Sequence, residues 1–179
     1  MIGQHKRDLT IVPYQSGWVE LFEQEADRLR NALGENALRI EHIGSTSIPG
    51  MMAKPIIDMM AAVESLNEAA KFIPVVEALG YEYKPHDTVP ERKFFAKEPN
   101  PEIRSHHLNL AELDSGFWKD QIAFRDYLRK HKQMAVGYVE LKKRLAEEYG
   151  QTGQLNLEGK TPFVTKVLEL VEQEERAAR

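Results

Sequence analysis

Three things are scarce in this chain of 179 residues: cysteine, long hydrophobic runs and excess positive charge. It contains no cysteine, which excludes disulfide bonds and thiolate zinc sites and favours a reducing, intracellular environment. No apolar run reaches the length of a membrane span, and the N-terminal stretch MIGQHKRDLT lacks the long hydrophobic segment of a signal peptide. We therefore expect a cytoplasmic protein that does not enter a membrane.

Positive charge does not dominate either, since 24 lysine and arginine residues face 28 acidic ones and the net charge is -4. A mildly acidic chain lacks the electrostatic footprint of a broad nucleic-acid surface, so any contact with a nucleotide requires a local pocket. What is present, 42% hydrophobic and 29% charged residues, is typical of a folded globular protein. The length predicts one domain over residues 1–179.

The N-terminal half alternates between helical and strand periodicity. Apolar residues recur at three- and four-residue spacing between Ser16 and Gly34, which predicts a helix capped by Ser16 and ended by Gly34. Residues 38–43 alternate as a strand with one drier face does, and IIDMMAAV at residues 56–63 is almost continuously apolar, as in a central strand. A further helix is expected from Ser65, kinked or restarted at Pro74.

The second half adds short strands and then helices. YEYK, RKFFAK and SHHLNL have the character of strands. Helices are predicted from Ser115 through His131, from about Ala135 to Tyr149, and from Thr161 onward. The order indicates an α+β domain with a mixed β-sheet, an N-terminal helix and a C-terminal group of packed helices.

One acid, Asp58, lies within the apolar strand, between Ile57 and Met59. An unpaired ionised carboxylate in apolar surroundings costs several kcal/mol, so a partner is required. The candidates from sequence are Lys54, Arg92 or a metal ion, and a purely structural ion pair remains an alternative to a functional site.

Five blocks resemble the GrpB family of bacterial proteins: EHIGSTSIPGMMAKPIIDMM, ERKFFAK, RSHHLNL, AFRDYLRKH and GKTPFVTKVL. They stand in the family's order and extend from about Ile11 to Leu170. The resemblance implies a nucleotidyltransferase-like fold and a domain that is also fused to dephospho-CoA kinase. It implies no particular reaction.

Nucleotidyltransferase-like proteins are marked by a Gly-Ser turn that holds phosphates and by a strand with two carboxylates, one residue apart, that share divalent cations. The resemblance assigns the turn to Gly44 and Ser45 and the first carboxylate to Asp58, the expected metal ligand for Mg²⁺ or Mn²⁺. Met60 stands where the second carboxylate is expected, and a thioether does not hold magnesium. The strand expected to supply a third acid carries His107 and Asn109 instead.

The predicted ligand is a nucleotide or a phosphorylated small molecule. The expected catalytic residues are Asp58, Lys54 and His107. The expected ligand-binding residues are Gly44, Ser45, Thr46, His42, Glu41, Arg92, Lys93, Arg104 and Asn109. In this hypothesis Lys54, Arg92 and Arg104 bind anionic groups, and the histidines act as acid or base near neutral pH.

Three interpretations stay open from the sequence. The first is nucleotidyl or phosphoryl transfer at Asp58; the second is a catalytically inert domain that senses a ligand or docks a partner. The third is hydrolysis with a single metal held by Asp58 and His107. The Gly44-Ser45-Thr46 segment is also compatible with an ordinary turn, because glycine and serine dominate turns generally. The oligomeric state is not predicted.

Overall fold

The computed structural model describes residues 2–5, 11–87, 89–100, 102–150 and 154–178, with the backbone alone at residues 4, 5 and 154. Most of the N-terminal stretch MIGQHKRDLT, where no signal peptide is predicted, therefore lies outside the described residues. The chain divides into two compact units, Met1–Gln121 and Ile122–Arg179. The prediction of one domain over residues 1–179 stays a prediction.

The first unit is built on a five-stranded mixed sheet with the strand order β2-β3-β7-β5-β4. Its strands are β2 (Arg39–Ile43), β3 (Ile57–Val63), β4 (Tyr81–Tyr83), β5 (Arg92–Lys97) and β7 (His106–Glu112). The neighbouring strands β3 and β7 run parallel, and the other neighbours are antiparallel. A separate two-stranded sheet joins β1 (Gln4–His5) to β6 (Ile103–Arg104). The α+β class and the mixed sheet predicted from the sequence are confirmed.

Strand register assigns every side chain of β3 to one of two faces. Successive residues of a strand point to opposite faces, and cross-strand partners share one. Ile57 and Met59 are on the face that joins the hydrophobic core, where both are fully buried. Asp58 is on the other face, and the register places it opposite Ile43 on β2 and His107 on β7.

Helix α1 (Gly17–Leu33) covers the core face of the sheet. Trp18 and Leu29 are fully buried there, because their spacing puts them on one side of the helix. Gly34 ends the helix with φ of 58°, as the sequence predicts. Ser16 precedes the helix but makes no side-chain capping hydrogen bond, because its backbone already has helical dihedral angles; the predicted cap is wrong.

The segment after β3 shows the restart expected at Pro74. A 3-10 helix over Glu68–Phe72 gives way to α2 (Ile73–Glu77), with Pro74 in its first turn, where a missing N–H costs nothing. The Ser65 hydroxyl accepts a hydrogen bond from the Asn67 N–H at 3.3 Å, but the residue that precedes the 3-10 helix is Asn67, which makes no side-chain capping bond. The helix expected from Ser65 therefore begins at Glu68.

The remaining helices are α3 (Gly116–Lys130), α4 (Lys132–Tyr149), α5 (Gln154–Glu158) and α6 (Thr161–Ala177). Ser115 caps α3 by accepting from the Trp118 N–H at 3.2 Å, as expected. The second unit packs its own aromatic rings together, with Tyr138 5.1 Å from Phe163. Among the described residues, no helix has the length and apolar character needed to cross a membrane.

Candidate functional site

The residue that satisfies Asp58 is His107. Nδ1 of His107 lies 2.8 Å from Oδ1 of Asp58, and both side chains are partly buried, with exposed fractions of 22% and 33%. An ionised carboxylate only accepts hydrogen bonds, so Nδ1 is the protonated nitrogen. The other nitrogen, Nε2, is buried and has no hydrogen-bond partner among the described residues. Asp58 and His107 thus form a pair that leaves one imidazole nitrogen unused by the chain.

Gly44 lies directly against this pair. Its φ of 67° is in the left-handed region, and a β-carbon at this position would overlap Oδ2 of Asp58 and lie 2.8 Å from the β-carbon of Asp58. Only glycine meets both conditions. A 3-10 turn over Ser45–Ser47 follows, and the Ser47 hydroxyl donates to the Gly44 carbonyl at 2.6 Å. The turn and the strand carboxylate that the sequence singles out are therefore in contact.

Arg92 supplies a cation on the same face of the sheet. Its Nη1 donates to Oδ1 of Asn109 at 2.9 Å, and its guanidinium lies 4.8 Å from the Phe94 ring centroid and 5.8 Å from that of Phe117. Burial lowers the pKa of Arg92, while the charge of Asp87 opposes this change. The guanidinium stays charged, because arginine is not deprotonated in proteins. Contacts with two rings hold it in one orientation.

The donor set around Asp58 does not fit a pair of Mg²⁺ or Mn²⁺ ions. Met60 follows on the same face and is fully buried, so its thioether occupies the expected position of the second carboxylate. Asn109 is committed, since Nδ2 donates to the Met59 carbonyl at 3.2 Å and Oδ1 accepts from Arg92. Among the described residues, no group of three His, Cys, Asp or Glu side chains is arranged to hold a metal.

His42 and Thr46 stabilise the turn through hydrogen bonds within the chain. His42 is on the core face of β2, opposite Met59, and stacks on Phe22 with the ring centroids 4.7 Å apart. The Thr46 hydroxyl donates to the Ile56 carbonyl at 3.3 Å, so it accepts from Nε2 of His42 at 3.0 Å. Both are buried, and the sheet separates the His42 ring from the face that carries Asp58.

The other predicted residues are divided among several places. Glu41 shares the Asp58 face but lies 2.6 Å from Arg39 in an ion pair. Lys93 pairs with Leu110 on the opposite face from Arg92. Arg104 belongs to the small sheet with β1, and its Nη2 lies 2.8 Å from Oε1 of Glu98.

Lys54 precedes β3, in the segment that connects the turn to the strand, and its carbonyl accepts from the Ile56 N–H at 2.8 Å. Ser45 is the first residue of the 3-10 turn and directly follows Gly44. The structure therefore brings together Gly44, Ser45, Asp58, His107, Asn109 and Arg92.

Two aromatic residues were missed by sequence reasoning. Phe94 contacts both His107 and Arg92: its ring centroid lies 5.1 Å from that of His107, and the Arg92 guanidinium lies over its ring. Phe117 at the start of α3 contacts the same guanidinium. The signal available for Phe94 is its two-residue spacing from Arg92 along a strand, which puts both on one face.

A second polar cluster occupies the core face and is separate from the site. Lys97 on β5 lies 2.6 Å from Glu25 on α1, and Arg28 is 2.9 Å from the same carboxylate. Burial alone would raise the pKa of Glu25, but the hydrogen bond and charge of Lys97 outweigh it and the pKa is lowered. Burial lowers the pKa of neighbouring His106 to about 4, so this histidine is neutral at pH 7. These groups stabilise the contact of α1 with the sheet.

The fold of this chain is nucleotidyltransferase-like. Structures of the poly(U) polymerase Cid1 support it, because one bound to MgATP superposes with a TM-score of 0.53 and 15% identity over 76% of this chain and 44% of that chain. At this identity the similarity shows the fold alone.

The chain belongs to the GrpB family, whose model, described as GrpB protein, matches residues 8–170. The crystal structure of the conserved protein GrpB from Enterococcus faecalis superposes with a TM-score of 0.81 at 35% identity, covering 93% of this chain and 99% of that one. The resemblance seen in the sequence is confirmed.

Relatives differ in length. The glutamate-rich protein GrpB of Alkalihalophilus pseudofirmus is 33% identical over 94% of this chain and 98% of its own. The UPF0157 protein YqkA of Bacillus subtilis is 37% identical over 89% of this chain, which spans only 46% of that relative. A dephospho-CoA kinase of Mycobacterium tuberculosis is 36% identical over 90 residues, 49% of this chain and 22% of the kinase. The expected fusion to dephospho-CoA kinase is thus found.

Proposed function

We propose that this protein binds a nucleotide or a phosphorylated small molecule at the Gly44-Ser45 turn, beside the Asp58–His107 pair. The observation that carries the proposal is the contact of Gly44 with the Asp58 carboxylate. It joins the turn and the acid that the nucleotidyltransferase-like fold uses around a bound nucleotide. Neither residue alone would distinguish a site from an ordinary turn.

Arg92 is the second support for an anionic ligand. Its guanidinium is fixed by Asn109 and by two aromatic rings on the face that carries Asp58. Guanidinium groups bind phosphate oxygens in a fork, and a pre-oriented side chain loses less conformational entropy on binding. Lys54, at the start of the strand segment, is proposed as a second cation for the phosphates.

Catalysis is the extension of this proposal. Nucleotidyl or phosphoryl transfer would use Asp58, Lys54 and His107, with the cations neutralising charge that develops on the phosphates. The described donors are too few for two metal ions, so no step is assigned to Mg²⁺ or Mn²⁺. We also propose that the protein is cytoplasmic, as the sequence predicts.

The competing candidate is an inert domain that senses a ligand or docks another protein. Two observations favour it: Met60 is fully buried at the second carboxylate position, and the Asn109 amide is committed to Arg92 and Met59. In both positions the side chain takes part in the packing or hydrogen bonding of the fold and does not offer a carboxylate to a metal ion.

Thermal unfolding with added ligands tests the proposal, because a ligand that binds the native state raises the melting temperature by mass action. The panel is ATP, CTP, GTP, UTP and dephospho-CoA, each with EDTA, Mg²⁺ or Mn²⁺; the mycobacterial relative's name motivates the last ligand. The variant is Asp58→Asn, and the control is Glu82→Gln, an exposed acid of β4 paired with Lys84.

Three results are decisive. Stabilisation that is indifferent to metal and survives Asp58→Asn supports the inert binder. Stabilisation that needs metal and disappears in Asp58→Asn but not in Glu82→Gln supports the transferase. No response of the wild-type chain to any ligand would reject a phosphate site at this turn.

A further inference from the structure

Arg92 carries a charge that no carboxylate of the described residues neutralises. The side chain is half-buried, and among the described residues its one hydrogen bond runs from Nη1 to Oδ1 of Asn109 at 2.9 Å. Burial lowers its pKa and the charge of the exposed Asp87 opposes this change, but Asp87 forms no ion pair with it. Taking an unpaired charge partly out of water costs free energy, so the state of Arg92 needs an explanation.

Two other half-buried cations of the first unit do have carboxylate partners. Lys97, on the same strand as Arg92, lies 2.6 Å from Glu25, and Arg104 lies 2.8 Å from Glu98. The partner of Arg92 is an amide, whose oxygen accepts a hydrogen bond as a carboxylate oxygen does but has no charge to offset that of the guanidinium. The chain therefore orients Arg92 without neutralising it.

Solvent reaches the N–H groups of Arg92 that do not contact Asn109. Among the described residues, the buried side-chain nitrogen and oxygen atoms without a hydrogen-bond partner are Nε1 of Trp18 and Nε2 of His107. The remaining N–H groups of Arg92 make no hydrogen bond within the described chain and are not enclosed in this way, so they are open to solvent. An anion can reach them without a change in the fold.

Asn109 is itself held in one orientation. Its Nδ2 donates to the Met59 carbonyl at 3.2 Å, which points Oδ1 toward Arg92, and the residue is buried. It stands on the strand where the resemblance leads us to expect a third acid. An aspartate at this position would form an ion pair with Arg92 and cancel the charge that asparagine leaves available.

We propose that Asn109 is a positioning residue that orients the Arg92 guanidinium toward an anionic group of the ligand and leaves its charge available, so that this group binds without a divalent cation. The inference rests on the proposed function and deepens it, because it assigns the counter-charge of a phosphate to a side chain. The donor set around Asp58, which does not fit two metal ions, agrees with this assignment.

The first experiment needs no variant. Binding of tripolyphosphate to the wild-type chain is measured by calorimetry in EDTA and in Mg²⁺. We expect binding in EDTA to be at least as strong as in Mg²⁺, because the metal ion offsets the phosphate charge that attracts the guanidinium. Binding that occurs only with Mg²⁺ would overturn the inference and leave the proposed function in place. No binding in either buffer would reject both.

Variants of Asn109 test the positioning role in EDTA. Asn109→Ala should weaken tripolyphosphate binding about threefold to tenfold, because the guanidinium regains conformational freedom that binding must then remove. Asn109→Asp should weaken it further, by more than about tenfold, because the new carboxylate pairs with Arg92. Wild-type affinity in both variants would contradict the positioning role. Equal losses would contradict the role of the neutral amide.

A double-mutant cycle with Arg92→Gln separates positioning from a general structural effect. If Asn109 acts through Arg92, Asn109→Ala has no further effect on binding once Arg92→Gln is present, whereas additive losses would overturn the inference. Because Asn109 also bonds Met59, circular dichroism checks that each variant is folded. Asn109→Leu, which keeps the shape of the side chain, has the same expected result and replaces Asn109→Ala if that variant is unfolded.

Discussion

Gly44 and Asp58 approach each other so closely that a β-carbon on the glycine would overlap the carboxylate. Gly44 also has a φ of 67°, so any substitution there costs both backbone strain and overlap with Asp58. Gly50 has a similar φ of 79°, but no neighbouring atom lies within 4 Å of a β-carbon built there. A substitution of Gly50 therefore costs backbone strain and no overlap.

Gly44→Ala is therefore expected to destabilise the protein by about 2–4 kcal/mol, of which about 1 kcal/mol is backbone strain and the rest is overlap. Gly50→Ala should lose only about 1 kcal/mol. Urea unfolding of both variants measures the difference. Equal losses would show that the turn moves away from Asp58 at no cost.

The buried ion pair of Glu25 and Lys97 predicts a second pair of variants. The two side chains are only 7% and 14% exposed, so Lys97→Met leaves a buried carboxylate without its main partner and should cost about 3–5 kcal/mol. Glu25→Leu combined with Lys97→Met should recover most of this loss, because no uncompensated charge remains. Arg176→Ala, which breaks an exposed pair with Glu172, is the control and should leave stability near that of wild type.

His106 predicts that stability falls in mild acid. Its pKa is lowered from 6.5 to about 4, chiefly by burial; the charge of Glu25 opposes this change, whereas those of Lys97, His107 and Arg28 add to it. Between these values the unfolded chain binds a proton that the folded chain does not, so the free energy of unfolding rises with pH across this window. The loss on acidification approaches about 3 kcal/mol, at about 1.4 kcal/mol per pH unit.

Urea unfolding from pH 4 to 7 measures this slope, and Glu25 steepens its acid end because its lowered pKa stabilises the fold only while it is ionised. In His106→Gln the part of the slope nearest pH 6 should disappear. The exposed His86→Gln should retain the wild-type slope. A His106→Gln profile that matches wild type would show that this ring protonates equally in both states.

Arg92 and its neighbour Lys93 provide a matched test of the anion contact. The two side chains lie on opposite faces of β5, and only Arg92 shares a face with Asn109. Arg92→Gln should weaken tripolyphosphate binding by about tenfold or more, since a charge-assisted hydrogen bond is lost. Lys93→Gln removes the same charge and should leave binding almost unchanged. Equal losses would indicate general electrostatic attraction, which salt then abolishes in both variants.

The elements of the fold were predictable where the sequence has a strong period. Helix α1 and strand β3 follow from apolar spacing, and the end of α1 follows from Gly34. Helix α4 begins at Lys132 rather than near Ala135, because its first two residues, Lys132 and Gln133, are polar and give no apolar periodicity. Strands as short as β1 and β6, two residues each, have no measurable period and depend on tertiary pairing.

The site was only half predictable for a related reason. Alternation along a strand places Asp58 and Met60 on one face, and likewise His107 and Asn109. The hydrogen bond from His107 to Asp58 depends on the register of β3 against β7, two strands that are distant in sequence. Alternation gives the face of each residue in the two strands but not which residues stand opposite each other, so from the sequence Lys54, Arg92 or a metal ion is the expected partner of Asp58.

The two adjacent histidines of β7 have consequences for folding. His106 faces Glu25 and the core, and His107 faces Asp58. A slip of β7 by one residue would move one of the two histidines into the other's place, and Ser105 or Leu108 would fill the place that it left. The slip would also carry Asn109 into the apolar layer and move Leu108 and Leu110, both fully buried, to the other face of the sheet. Asn109 therefore disfavours the shifted register during folding, whether or not a ligand binds.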